Sequence, residues 1–324
     1  MKKTILALTI AAAAFAQTSG HEAPVMSILN DIHAVNSLDK TLAFYRAVFG
    51  LDAQPRPFPN PGVPALTNSP GVSLRLAVLK FPNASFGFEL TEFSGIERKP
   101  GRPTHTDPGA GTMVLRVRNL DNVVAAAKKA GAEIVTRSQA PVKVSDSGVR
   151  SILLRDPDGY FVEAVEAVGE GSAPASGIVQ SVGMGFTTAD LEVTRKFYHD
   201  LLGFELKGNM AYASTPAVAD LVGAPKGSES REMTGVIPGT TAPIAFYEWK
   251  GMPRKPFHLR VPDPGAPAMC LRVRDLDAVL TRMRAAGVPV LSAKGEVVQF
   301  TPTVRNIFVE DPNGVNLELY ESKQ

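Results

Sequence analysis

This chain says the same thing twice. Residues 42–51, 113–135 and 155–166 read LAFYRAVFGL, MVLRVRNLDNVVAAAKKAGAEIV and RDPDGYFVEAVE; residues 195–206, 269–291 and 310–321 read RKFYHDLLGFEL, MCLRVRDLDAVLTRMRAAGVPVL and EDPNGVNLELYE. The order is kept, and the offset stays at about 155 residues. A constant offset over three separated segments predicts two copies of one domain, over 26–168 and 178–322. What each copy keeps or loses at its chemical positions then becomes readable.

The 324 residues suffice for two domains of ordinary size, and 44% apolar against 20% charged residues suits a soluble globular protein. A net charge of +2, with Lys and Arg spread along the chain, leaves no broad electrostatic case for a nucleic-acid partner. Cys270 is the single cysteine, so neither an intramolecular disulfide nor a thiolate cluster can be built, and core packing must hold the fold. Lys2 and Lys3 precede the apolar run TILALTIAAAAF, and Ala14-Phe15-Ala16 is a small-x-small cleavage signal before Gln17. This pattern predicts a signal peptide over 1–16 and a periplasmic or secreted protein. The run is too short to span a bilayer as a helix, so no membrane association is expected after cleavage.

Each half divides again. The run SILNDIHAV reads as a strand and SLDKTLAFYRAVFG as a helix, with Ser37 as N-cap and Gly50 at the left-handed C-terminal position. Leu38, Leu42, Tyr45 and Phe49 form its buried stripe. Strands follow in VSLRLAVLKF and FGFELTEF; the order then repeats with TMVLRVR, a helix closed by Gly131, and the strands around the RDPDGY turn. The second half follows the same plan, after a small, polar linker GEGSAPASG over 169–177. The chain therefore reads as four tandem βαβββ units.

Four such units, with FY ahead of a helix-ending glycine, LRVRNLD opening the second unit and DPDGYFVEAVE closing it, resemble the vicinal oxygen chelate superfamily of glyoxalases, extradiol dioxygenases, epimerases and bleomycin-resistance proteins. The resemblance covers residues 27–167 and 178–322. It implies an α+β fold in which paired units curve a mixed sheet around a cleft, and it says little about activity, because the fold hosts several chemistries.

The resemblance also implies metal ligands on the first and last strands of the units, usually two His with one or two Glu. The matching residues are Asn30, Glu89, Thr112 and Glu163 in the first half and Gly183, Ala245, Ala268 and Glu318 in the second. Three carboxylates stand there, and no histidine does. The second half is therefore expected to bind no metal of its own. In the first, His33 lies three residues beyond Asn30, on the helix side of its strand unless a bulge turns it. Turned inward, His33, Glu89 and Glu163 would make a minimal set for a divalent ion; no cofactor at all is the other reading. How the units pair stays open. Units one with two would gather Asn30, Glu89, Thr112 and Glu163; units one with four would gather Asn30, Glu89, Ala268 and Glu318.

A carboxyl facing an apolar cleft resists ionisation, which makes Glu89 and Glu163 candidate acid–base residues. Strand parity directs Thr91 and Phe93, then Tyr247, Trp249 and Tyr320, towards a cleft; Arg116 and Arg272 share that parity. With Asn30 and Thr112 these give a candidate substrate-binding set of Asn30, Thr91, Thr112, Arg116, Tyr247, Trp249 and Tyr320, and the aromatics suit a flat, ring-bearing ligand. His105 and His258 lie in Pro-rich loops, and His199 lies on a helix. The functional expectation is a small-molecule partner and either of two outcomes. One is a glyoxalase-like lyase or isomerase that moves a proton beside a carbonyl. The other is a protein that sequesters a drug without catalysis. The second-half positions count against an extradiol dioxygenase. Monomer and homodimer are both open.

Overall fold

The computed structural model describes residues 23–166 and 177–323; the expected signal peptide and all but the last residue of the expected linker lie outside them. Unit one comprises β1 (Val25–Ala34), α1 (Leu38–Phe49), β2 (Arg56–Pro57), α2 (Val63–Leu66), β3 (Ser73–Lys80) and β4 (Gly87–Ser94). Unit two comprises β5 (Gly111–Val117), α3 (Leu120–Lys129), β6 (Glu133–Ile134), β7 (Val142–Lys143), β8 (Arg150–Arg155) and β9 (Phe161–Glu166). Unit three has β10 (Val179–Thr188), α4 (Leu191–Lys196) with a π-helical extension over Phe197–Leu201, β11 (Leu206–Ala213), α5 (Pro216–Leu221), β12 (Glu229–Val236) and β13 (Pro243–Lys250). Unit four has β14 (Pro267–Val273), α6 (Leu276–Ala285), β15 (Val298–Thr301), β16 (Val304–Glu310) and β17 (Asn316–Ser322). The α+β fold of four units is thus present.

The pairing is the crossed one. One sheet runs β15-β16-β17-β14-β1-β4-β3-β2 and the other β11-β12-β13-β10-β5-β9-β8-β6, with β7 beside β8. Unit one therefore joins unit four, and unit two joins unit three. The seams are antiparallel: Asn30 faces Cys270 and Ile32 faces Ala268 in the first sheet, and Gly183 faces Val114 and Gly185 faces Thr112 in the second. The repeat boundary is one of sequence; each sheet takes one unit from either side of it.

Alternation then sorts the side chains. Beyond the β1 bulge, Asp31 and His33 with their rung partners Phe88 and Leu90 turn to the helix side, into a core shared with Met113, Leu115, Met184, Phe186, Met269 and Leu271. The FY and DPxG motifs meet in that core. Tyr45 donates to Asp156 at 3.2 Å and Tyr198 to Asp311 at 3.1 Å, so each half clamps its first helix to its last turn. Each aspartate also holds its own turn, accepting backbone N–H groups two and four residues on. Gly159 and Gly314 complete these turns at a φ of 91°, where a side chain would be strained.

A second device recurs in all four units. The Ser37 side chain makes no capping bond; instead Glu92, from the last strand of the unit, accepts the Leu38 N–H at 2.7 Å. Glu166, Glu248 and Glu321 do the same for Leu120, Leu191 and Leu276 at 3.0, 2.7 and 3.4 Å. An arginine from the neighbouring strand backs each of them: Arg75, Arg150, Arg231 and Arg305. A carboxylate at a helix N-terminus satisfies orphan donors and meets the positive end of the helix dipole. These glutamates are scaffold, and they lie three residues beyond the cleft-facing positions Glu89, Glu163, Ala245 and Glu318.

Candidate active site in the cleft of units one and four

The first sheet curls around a cavity of about 370 Å³. Its walls are apolar, with Ile32, Leu76 and Phe93 from unit one and Phe300, Phe308 and Tyr320 from unit four among them. Phe58 and Phe300 stack at 5.9 Å and join the two units over the space. Its polar lining includes Asn30, Glu89, Cys270, Asn306 and Glu318.

Register explains why these residues meet. Asn30 and Cys270 are opposed across the seam, and Cys270 stands beside Glu318 on the parallel β14–β17 pair. Glu89 follows on β4, level with Ile32. The Asn30 amide donates to Glu89 at 2.7 Å, the Asn306 amide donates to Glu318, and the Cys270 thiol also bonds Glu318. Burial pushes the Glu89 carboxyl up to about 7, with the Glu318 charge adding to the effect and the Asn30 hydrogen bond opposing it. Burial raises Glu318 as well, and it lifts the Cys270 thiol far above its ordinary range, with both glutamates adding to the rise. The floor of the cavity thus holds Glu89, pushed up to about 7, and Glu318, also raised by burial, with an un-ionised thiol beside them.

The second sheet is built differently. Glu163 is buried, accepts the Ser151 hydroxyl at 2.5 Å, and is pushed up to about 7 mainly by burial. Where the first sheet has its cavity, however, this one has side chains. Tyr247 and Trp249 are 4% and 1% exposed and pack with Phe161, Val218 and Leu221 into a separate core. Gly185 makes the room: a Cβ there would lie 2.8 Å from the Tyr247 ring.

The sequence-derived site therefore splits. Asn30, Glu89, Thr91 and Tyr320 line the open cavity. Glu163, Thr112, Tyr247 and Trp249 belong to the other sheet and are buried there. Arg116 also lies on that sheet, in a groove with Phe86, Ser181 and Thr240. Pairing Glu89 with Glu163 is corrected to Glu89 with Glu318, because crossed pairing separates the first two. The set His33, Glu89 and Glu163 is not assembled. β1 does shift register, between Ile28 and Asn30, but His33 beyond it stays on the helix side, 3.0 Å from Asp156 and with its ring tilted against Tyr160 at 4.6 Å. His105 is buried beside Phe161, and burial lowers it to about 3; His258 and His199 are exposed and meet Glu310 and Asp200. Sequence reasoning missed Cys270 and Asn306. The parity that turned Arg272 towards a cleft also turns Cys270 there, and that was the available signal.

The sequence model of the "Glyoxalase/Bleomycin resistance protein/Dioxygenase superfamily" matches residues 29–164 and 180–319. The chain belongs to that superfamily. Among similar proteins, the lactoylglutathione lyase GLX1 of Arabidopsis thaliana is 27% identical over 188 residues, and the chain spans 55% of that protein's length, with 55% of the chain itself covered. The crystal structure of glyoxalase I from Zea mays superposes with a TM-score of 0.59 at 18% identity, over 91% of this chain and 92% of that one. That likeness shows the shared fold. At the positions matched above to superfamily metal ligands, this cleft offers Asn30, Glu89, Ala268 and Glu318, with Cys270 beside Glu318. They do not fit a divalent ion as arranged. Two amide NH₂ groups and a thiol already occupy the carboxylates, no imidazole is present, and the side chains do not converge to ligand spacing among the described residues. The group that does converge is His33, Asp156 and Asp158, with ligand atoms within 4.8 Å of one another. Its carboxylates are taken up by the Asn36 and Tyr160 N–H groups and the Thr41 and Tyr45 hydroxyls.

Proposed function

We propose that the cleft of units one and four binds a small, largely apolar molecule and moves a proton at a carbon beside a carbonyl, as a metal-free lyase or isomerase. One observation carries the reading: Glu89 and Glu318 face one apolar cavity, and burial holds both above the ordinary carboxylate range. A buried carboxyl near neutrality can accept a proton in one step and return it in the next. The chemistry is concrete. One glutamate, as carboxylate, takes the α-proton. The other, as carboxylic acid, donates a hydrogen bond to the carbonyl oxygen as it gains negative charge. The proton returns to the same or the neighbouring carbon. Asn30 and Asn306 orient the two carboxyls, and the un-ionised Cys270 adds a donor to Glu318. The similarity to a lactoylglutathione lyase makes thiol adducts of 2-oxoaldehydes reasonable substrates to try, beside arylpyruvates. The Lys2-Lys3 start, the apolar run and Ala14-Phe15-Ala16 support export of the chain, which the intact mass of a periplasmic or secreted fraction would test.

Deuterium wash-in at the α-carbon, followed by NMR over both substrate types, tests the chemistry. Exchange that needs both Glu89 and Glu318 supports it. Binding with no exchange above the buffer rate for any member would instead establish a sequestering protein, the reading that the missing imidazoles favour.

A further inference from the structure

We infer that the ligand of this cleft carries a carboxylate or similar anion at the end remote from the reacting carbon, and that Arg56 is the residue that selects it. The inference rests on the cleft reading above and names its substrate class. Arg56 stands on the short edge strand β2, in the same rung as Leu76, Thr91 and Ala34, all of which line the cavity. Glu89 lies one cleft-facing rung away, level with Val78 and Ile32. Strand spacing separates Arg56 from the β4 backbone by about 10 Å across the sheet and from the Glu89 level by about 7 Å along it. The guanidinium lies at the solvent-facing edge of the cavity, 5.6 Å over the Phe58 ring. Among the described residues, Arg150, Arg231 and Arg305 each close on a carboxylate within 3 Å, whereas no ion pair or hydrogen bond ties Arg56, whose charge is felt as far in as Glu89.

The cavity is thus polarised along its length. Its floor holds two carboxyl groups, so an anion seated there would meet the charge of whichever is ionised, in a poorly solvated place. Its rim holds a permanent cation with a planar fork of donors and no protein acceptor. The rest of the lining is largely apolar, with Phe58, Phe93 and Phe300 among it; Phe93 and Phe58 stand level with Leu74, one rung beyond Arg56. A ligand with a ring or chain body and one carboxylate satisfies all three zones in one orientation only. That orientation carries the opposite end to Glu89 and Glu318. Lys80, the other cation acting on Glu89, stands at the far end of β3, outside the cavity lining.

The test is calorimetric binding of 4-phenylbutanoate and 2-naphthoate, each against its uncharged amide, to the full chain and to the Arg56→Met and Arg56→Lys variants. Arg56 lies on an exposed edge, so the variants are expected to fold, and near-ultraviolet circular dichroism checks this. Each acid should bind about tenfold or more tightly than its amide, in line with a charge-assisted hydrogen bond at a partly wet rim. Arg56→Met should erase that preference by weakening the acids alone, and Arg56→Lys should restore part of it. Equal binding of acid and amide to the unaltered chain, or a preference that survives Arg56→Met, would overturn the assignment while leaving the cleft reading intact. If neither acids nor amides bind at millimolar concentration, the cleft reading fails, and the role of Arg56 fails with it.

Discussion

The two sheets are the same architecture put to different uses. In the cleft of units one and four, Ile32, Glu89, Thr91 and Phe93 line open space. At the matching places in units two and three stand Gly185, Ala245, Tyr247 and Trp249, and that space is filled. The exchange is compensated in volume: a side chain is lost on β10 and a ring gained on β13, and the ring lies over the glycine. A carboxylate is lost with it, from Glu89 to Ala245. One cleft is thus filled as core while the other stays open. Glu163 carries a raised pKa with no open cavity beside it among the described residues, so no chemistry is proposed there. It shares the perturbation of Glu89 but faces packed side chains.

This contrast can be broken most directly at the glutamates. Glu89→Gln and Glu318→Gln should each reduce α-proton exchange by about 10²–10⁴-fold, the range for losing a general acid or base. Glu163→Gln should leave it within about twofold. Comparable losses at Glu163 and Glu318 would mean that the chemistry does not reside in the open cleft. Next in size is the filled cleft. Trp249→Ala removes a side chain only 1% exposed and should cost about 3–5 kcal/mol in denaturant unfolding, without changing the affinity of any ligand of the open cleft. A changed affinity would show that the two sheets are coupled.

The complementarity of Gly185 and Tyr247 sharpens the comparison further. Gly185→Ile should destabilise by about 1–3 kcal/mol through overpacking. In the background of Tyr247→Thr, which recreates the Ile32–Thr91 pair of the open cleft, it should cost much less. Additive penalties in that double-mutant cycle would show that the ring does not fill the room left by the glycine.

The smallest expected effect is on pH. Asp31, Glu89 and Glu163 are pushed up to about 7 by burial, so between their ordinary values and 7 the folded chain holds protons that the unfolded chain has released. Their folded pKa values are raised, and stability therefore falls as pH climbs towards and through 7. His33 acts in the same direction: burial works against its charge, but Asp156, Asp158 and Asp31 together outweigh burial and raise it, so its contribution is lost as pH rises through the folded value. His105, lowered to about 3, stays neutral above pH 6.5 and does not oppose the trend there. The melting temperature should drop by several degrees from pH 6.5 to 8.5. The drop should shrink in Glu89→Gln and in Glu163→Gln alike, because this perturbation, unlike catalysis, is common to both sheets.

Much of the fold was legible because it rests on local rules written four times. Parity turned Thr91 and Tyr320 into a cleft and His33 away from it, and the resemblance to the superfamily placed Asn30 and Glu89 beside them. The FY and DPxG motifs marked the helices and turns that Tyr45, Tyr198, Asp156 and Asp311 lock together. The helix-capping role of Glu92, Glu166, Glu248 and Glu321 was written in the chain as well, as a glutamate present in every unit. Ser37 was the natural residue to expect there, because short hydroxyl side chains commonly cap helices. Only the structure brings a carboxylate to it from another strand.

The sequence by itself determined the superfamily fold, the four units, and the face of the sheet on which each strand residue lies, because alternation and turn chemistry are properties of neighbours in the chain. The tertiary structure decided which unit lies beside which, since a duplicated domain offers each sheet edge two equivalent partners and the choice is made by contacts far apart in the chain, such as Asn30 with Cys270 and Gly183 with Val114. That choice joined Glu89 to Glu318 instead of Glu163 and carried Cys270 and Asn306 into the site. It also decided which cleft is open, because whether Tyr247 and Trp249 line a cavity or fill it depends on the volume of Gly185 across the sheet.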